Sequence, residues 1–136
     1  MLRISGIVLL MFIITTSCSK KPVTPPPPPA PIIGTWSVSK IIDVNTGNDV
    51  TATASFGCVA GAVSKFNADG SFSSTDSACS LYVFSGSWTL TADHLVVTAN
   101  GIGLAWRGTI AFTSDNKNFT LDASSENGYI YTFKKQ

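Results

Sequence analysis

Apolar and polar side chains alternate in short stretches from Gly34 to the C-terminus. In the first stretch, Trp36, Val38 and Lys40 alternate with serine and threonine, which predicts a β-strand over residues 34–42. The same kind of pattern predicts strands over residues 50–56, 62–66, 81–90, 95–98, 102–113, 119–123 and 129–133, with a further strand that begins at Phe72. No stretch shows the apolar period of a helix. The pattern therefore predicts eight or nine strands.

Turn-forming residues separate the predicted strands. Residues 67–70 read Asn-Ala-Asp-Gly, and Asn127-Gly128 is the dipeptide most typical of a two-residue hairpin. The oxygens of residues 67–71 also alternate as in a calcium loop, but no acidic residue closes that loop, so a turn is favoured. Short turns between strands favour an all-β, small antiparallel up-and-down barrel, with a β-sandwich as the alternative.

The first 31 residues differ in composition from the rest. One arginine precedes an apolar run of 13 residues, residues 4–16, which is typical of a secretory signal and shorter than the ~20 residues that span a bilayer. All seven prolines lie before residue 32 and predict an extended polyproline spacer. We therefore divide the chain into a lipoprotein-type signal peptide (1–17), a proline-rich tether (18–31) and a β-domain (32–136).

Residues 14–18, Ile-Thr-Thr-Ser-Cys, resemble the lipobox of bacterial lipoproteins. Small residues precede Cys18, although Thr15 stands where the family usually has leucine. The resemblance implies cleavage before Cys18 and a diacylglyceryl anchor on its sulfur, with palmitate among the acyl chains. Several acyl chains hold a protein stably on a membrane. Ser19 after the cysteine implies the outer membrane, and the alternative is ordinary secretion with a free thiol.

The β-domain carries little charge and few groups suited to catalysis. Arg3, Lys20 and Lys21 precede it, so residues 32–136 hold six basic and eight acidic side chains. This balance argues against a nucleic-acid partner. His94 lies in a predicted turn, which favours a solvated side chain over a catalytic base. No nucleophile-elbow, zinc-protease or phosphate-loop motif occurs, so we expect no enzymatic activity, metal or cofactor.

The β-domain contains two cysteines, Cys58 and Cys79, which are 21 positions apart. Thiols oxidise in exported domains. The sequence therefore predicts a disulfide between them rather than two free thiols.

The segment Gly34-Thr35-Trp36 resembles the Gly-x-Trp motif of lipocalins, and residues 32–136 resemble the lipocalin-like domains of bacterial lipoproteins. The resemblance implies a small barrel with one closed end that Trp36 plugs. In the family an arginine from the last strand covers the tryptophan, whereas this chain has Lys134 and Lys135 there. The resemblance thus implies Arg107 as the substitute cation over the indole.

An eight-stranded barrel has an interior just wide enough for side chains or one small ligand. The side chains expected to face such a ligand are Phe66, Phe72, Tyr82, Phe84, Trp88, Trp106, Phe112, Tyr129 and Tyr131. With Trp36, Phe119 and Phe133 the inward rings number twelve, enough to leave no cavity. Two functions stay open: a monomeric, lipid-anchored module that binds a small hydrophobic ligand, or an envelope module that binds or inhibits a protein through its rim loops.

Overall fold

The computed structural model of the protein describes residues 30–76, 79, 83–100 and 103–136. The signal peptide, most of the tether and Tyr82 lie outside the described residues. The expectations for them, including the lipid anchor on Cys18, stay predictions.

Eight antiparallel strands form a closed barrel in the described part of the chain. They are β1 (Gly34–Asp43), β2 (Val63–Phe66), β3 (Ser71–Thr75), β4 (Val83–Thr91), β5 (His94–Ala99), β6 (Gly103–Phe112), β7 (Asn118–Ala123) and β8 (Tyr129–Lys135), with helical turns α1 (Gly57–Gly61) and α2 (Ser124–Asn127). Each strand pairs with the next along the chain, and β8 pairs with β1. The predicted all-β, up-and-down barrel is confirmed, and the sandwich alternative is excluded.

Side chains alternate between interior and solvent along the strands. On β7, Phe119 and Leu121 are buried while Thr120 is exposed. On β1, a bulge between Val38 and Lys40 changes the register, so that Ile41 follows Val38 into the interior and Lys40 is exposed. Simple alternation from Trp36 would have placed Lys40 in the core. The bulge therefore keeps the charged side chain of Lys40 out of the core.

The predicted strand over residues 50–56 is wrong. These residues form consecutive turns that lead into α1, and the Thr53 carbonyl accepts hydrogen bonds from the amides of Phe56 and Gly57 (3.0 Å each). Between Val50 and Phe56 the chain contains threonine, alanine and serine, so the stretch has no alternating apolar face to bury. Its backbone groups bond locally instead.

The connection from β7 to β8 is longer than the two-residue turn that Asn127-Gly128 predicts. Residues 124–127 form α2, and Gly128 ends this turn with φ of 83°. Its amide donates to the Ser124 carbonyl over 3.1 Å. Gly128 thus supplies a positive φ, but as the residue that terminates a helical turn.

The two ends of the barrel are built differently. The Trp36 end contains the start of β1, the end of β8 and the short turns at residues 67–70, 92–93 and 113–117. The opposite end carries the longest connection, residues 44–62, which we call the lid. We therefore call it the lid end.

Candidate functional site

Trp36 closes one end of the barrel. Its side chain is fully buried, and its Nε1 donates a hydrogen bond to the carbonyl oxygen of Ile32 over 2.7 Å. Ile32 is also fully buried, and the amide of Ile33 donates to the Ala30 carbonyl over 3.0 Å. The chain before β1 therefore folds under the indole and satisfies its polar atom. Trp36 has the position that the lipocalin resemblance implied for a plug.

Lys135, and not Arg107, is the cation over Trp36. The Nζ of Lys135 lies 5.4 Å from the centroid of the Trp36 ring. Arg107 follows the buried Trp106 on β6, so strand alternation directs it to the outer face, where it is exposed. The expectation for Arg107 is wrong because its neighbour takes the inward position.

Gly34 is the residue that lets Lys135 reach the indole. A Cβ on Gly34 would lie 3.2 Å from Cε of Lys135, and Gly34 has φ of 141°. A residue without a side chain can take this backbone conformation and leave the path over the ring clear. The glycine of the Gly-x-Trp motif is thus explained by its contact with the last strand.

The aromatic side chains of the interior contact one another across the barrel. Trp106 lies edge-on to Phe72 and to Phe133, with centroid distances of 5.6 and 5.2 Å. Phe133 stacks on Phe119 at 4.5 Å, and Phe119 meets Trp36 at 4.7 Å. Since β3 and β6 are three strands apart in the ring of eight, the contact between Trp106 and Phe72 spans the interior.

The side chains predicted to face a ligand are placed as follows. Phe66, Phe72, Trp106 and Tyr131 are buried; Trp88, Phe112 and Tyr129 are partly buried against the same core; Phe84 is half-buried; Tyr82 lies outside the described residues. Phe66 contacts Phe72 at 5.2 Å and Trp88 at 5.9 Å. These rings therefore face other rings.

The interior also contains polar groups that the sequence analysis did not single out. Ser64 and Ser74 are buried on paired strands, and their Oγ atoms lie 3.0 Å apart. Asp76 is buried too. On β8, near the lid end, the hydroxyl oxygen of Tyr131 accepts a hydrogen bond from Nδ2 of Asn127 over 3.0 Å. Burial raises the pKa of the Tyr131 phenol above its ordinary value of 10.0. Alternation from Phe66 and Phe72 would have placed both serines inward.

The lid packs on the ends of two neighbouring strands, β1 and β8. At β1, the Val50 amide donates to the carbonyl oxygen of Ile41 over 2.9 Å. Phe56 packs edge-on against Tyr129 of β8 at 4.8 Å, and Val50, Phe56 and Val59 pack against the core. The lid thus covers the ends of β1 and β8.

A disulfide joins the lid to the connection between β3 and β4. Cys58 of α1 is bonded to Cys79, so the predicted pairing is confirmed. A Cβ on Gly61 would lie 2.5 Å from Oδ2 of Asp76. The last residue of α1 therefore lies against the residue that follows β3. The lid thus contacts the barrel end on the β8 side through Tyr129 and on the side of the β3–β4 connection through Cys79.

Four aspartates accept hydrogen bonds at turns. Hydrogen bonds from Thr51, Ser71, Thr113 and Ser124 hold the pKa values of Asp49, Asp69, Asp115 and Asp122, respectively, below the ordinary value of 3.8. Among the described residues, no group of three or more histidine, cysteine, aspartate or glutamate side chains is placed to hold a metal ion. These four aspartates thus stabilise turns.

His94 begins β5, where it is exposed and pairs with Thr91 and Thr109.

No helix within the described ranges is long and apolar enough to cross a membrane.

Comparison with known proteins supports the fold. No protein-family model matches this chain, and no curated protein matches it. A crystal structure of an uncharacterized protein from Bacteroides eggerthii is similar, with a TM-score of 0.56 and 16% sequence identity over 76% of this chain and 98% of that chain. At this identity the similarity concerns the barrel alone.

Proposed function

We propose that this protein is a lipid-anchored, non-catalytic interaction module of the bacterial envelope, built on a lipocalin-like barrel whose interior is filled by its own side chains. The observation that carries the proposal is the position of Trp106, which reaches Phe72 across the interior and also contacts Phe133. A lipocalin-type ligand would need the space that this ring occupies. The lid adds Val50 and Phe56 to the same core. A partner would therefore meet the outside of the barrel.

Exposed apolar side chains support a contact surface at the lid end. Val44, Val63 and Val83 are 45%, 42% and 62% exposed. Val63 and Val83 flank Thr75 on the outer face, because Thr75 pairs with both. Val44 lies apart from this pair, in the lid, where its amide donates to the Gly128 carbonyl over 2.9 Å. Apolar side chains that cluster on a surface are typical of protein contact sites.

The proposed anchor directs this surface away from the membrane. The described chain begins at Ala30, which packs beside the Trp36 end. Residues 20–29, which precede the turn at Ala30, would span ~31 Å as a polyproline tether at ~3.1 Å per residue. Acylation of Cys18 predicts that labelled palmitate enters the wild-type protein and not a Cys18→Ser variant. Equal labelling of the two would contradict the anchor.

Native mass spectrometry of the mature protein, released from its own envelope with detergent, tests the filled interior. We expect the mass of the acylated polypeptide with one disulfide and no further molecule. A small apolar molecule bound in stoichiometric amount would contradict the proposal.

Such a molecule would favour a second candidate, ligand binding in the lid-end half of the barrel. The buried Ser64–Ser74 pair is the observation in its favour, because a few polar groups in an apolar site fix the orientation of a ligand. Under this candidate, a Ser64→Val variant would lose the bound mass.

A further inference from the structure

We propose that the Cys58–Cys79 disulfide is a redox latch, which holds the lid closed and whose reduction by a dithiol frees the lid while the barrel stays folded. The proposal deepens the proposed function and rests on it, because it names what controls the surface at the lid end. It follows from a difference between how the lid and the barrel are held together.

The lid has weak structure of its own. Its helix α1 has five residues, none of them buried, and Phe56 at its N-cap provides no side-chain hydrogen bond. A helix of a single turn is not stable in isolation. Its internal hydrogen bonds include those from the amides of Gly57 to Thr53 and of Ala60 to Phe56. The order of this part of the lid therefore depends on its attachments.

The attachments around α1 are few, and the disulfide is the covalent one. On one side, Phe56 contacts Tyr129 through a single pair of rings at 4.8 Å. On the other side, Cys58 is bonded to Cys79. Without that bond, α1 would keep the packing of the partly buried Phe56 and Val59 and its continuation through Ala62 into β2. We expect such a segment to open locally, since segments with few buried contacts open at low free energy.

The barrel is held together by strand pairs that do not involve the disulfide. Neither Cys58 nor Cys79 lies in a strand, and the ring of strands closes through the pairing of β8 with β1 from Trp36↔Lys135 to Asp43↔Tyr129. Reduction breaks no strand pair, although loss of the cross-link lowers the stability of the whole fold relative to the unfolded chain. We therefore expect the barrel to stay folded while the lid opens.

Both cysteines are half-buried, so a reductant can reach the bond. A thiolate of the dithiol attacks one sulfur and forms a mixed disulfide, which its second thiol resolves. The S–S bond of the protein is replaced by two S–H groups, and the dithiol is oxidised to its own disulfide. Two electrons and two protons pass from the dithiol to the protein.

Hydrogen exchange of the mature protein, with and without dithiothreitol, tests the latch. We expect the amides of Gly57 and Ala60 to lose their protection after reduction and to exchange at least about tenfold faster, while those of Thr120 and Phe133 in the barrel stay protected even where the lower global stability accelerates them. Unchanged lid amides would overturn the proposal. Loss of protection in lid and barrel together would overturn it too, because the disulfide would then hold the whole fold.

Two variants separate the disulfide from the apolar contact. The Cys58→Ser/Cys79→Ser protein should show fast lid exchange without reductant and no response to it. Phe56→Ala keeps the disulfide and should retain slow lid exchange. If Phe56→Ala opens the lid as far as reduction does, the ring contact is the latch and the proposal fails. A bound ligand in native mass spectra would contradict the proposed function and leave these exchange results unaffected.

Discussion

Lys135 reaches back across Gly34 and places its Nζ 5.4 Å from the centroid of the Trp36 ring. The first and last strands of the barrel, which pair with each other, therefore also share one cation-π contact. A lysine serves here where the lipocalin resemblance implied Arg107. Lys135 has this role because the end of β8, rather than the middle of β6, lies over the indole.

Removal of this cation should cost a small, measurable amount of stability. We expect Lys135→Ala to lower the free energy of unfolding by about 0.5–1 kcal/mol, the usual contribution of a cation-π contact near the surface, and Lys135→Arg to retain it. Urea unfolding followed by tryptophan fluorescence measures the change. Lys134→Ala is the matched control, because Lys134 is also exposed and points to the other face of β8. Equal losses from the two alanine variants would contradict the contact.

Gly86 should tolerate no side chain, although it lies in the middle of β4. A Cβ there would overlap the carbonyl oxygen of Thr98 on β5. We expect Gly86→Ala to destabilise the protein by about 1–3 kcal/mol or more, because the backbone of one strand must move. In Gly57→Ala the added methyl group meets no atom within 4 Å, and the change should be neutral or stabilising. Thermal unfolding of both variants makes the comparison, and equal midpoints would refute it.

The sequence predicted those elements whose side chains alternate strictly. Phe119 and Leu121 on β7 are buried as expected, because a strand with one buried face must alternate. The bulge after Val38 was not predicted, since it depends on how β1 meets β8. Residues 50–56 of the lid were mistaken for a strand because Val50 and Phe56 are apolar, although these side chains pack on the core at the ends of β1 and β8.

The candidate site was predicted in part for the same reason. The inward direction of Trp36 and Trp106 follows from local alternation, whereas the contact of Trp106 with Phe72 and Phe133 depends on barrel closure. The cysteine pair could be inferred from residue type and export alone. The choice of Lys135 as the cation could not, because it requires the register between the first and last strands.

Truncation of Trp106 should create the cavity that the wild-type interior lacks under the proposed function. We expect Trp106→Ala to cost about 3–5 kcal/mol, and to gain thermal stability when indole or benzene is added. Wild-type protein should show no such gain. Val83→Ala is the surface control and should change stability by less than about 0.5 kcal/mol. Equal stabilisation of wild type and Trp106→Ala by the probe would contradict a filled barrel.

Stability should fall in acid because of the turn aspartates. Hydrogen bonds, foremost from the hydroxyl groups of Thr51, Ser71, Thr113 and Ser124, lower the pKa values of Asp49, Asp69, Asp115 and Asp122, in that order, below 3.8. A carboxyl group with a lower pKa in the folded state stabilises the fold above its unfolded pKa, and this contribution is lost as pH falls through the folded value.

The measurement is the urea midpoint from about pH 6 down to about pH 2. We expect wild-type stability to decline below about pH 4, and a variant with all four aspartates changed to asparagine to decline less steeply. A parallel decline in the two proteins would show that these hydrogen bonds do not carry the pH dependence.

Removal of one hydroxyl group of the buried Ser64–Ser74 pair should lower the free energy of unfolding more than removal of both. Their Oγ atoms lie 3.0 Å apart inside an apolar core. A single Ser64→Ala or Ser74→Ala change leaves one hydroxyl group buried without this partner, which costs about 1–3 kcal/mol, whereas removal of both partners can be nearly neutral. We therefore expect the double variant to be less destabilised than the sum of the single variants. A double-mutant cycle in urea measures this coupling free energy, and additivity within about 0.3 kcal/mol would show that the two hydroxyl groups act independently.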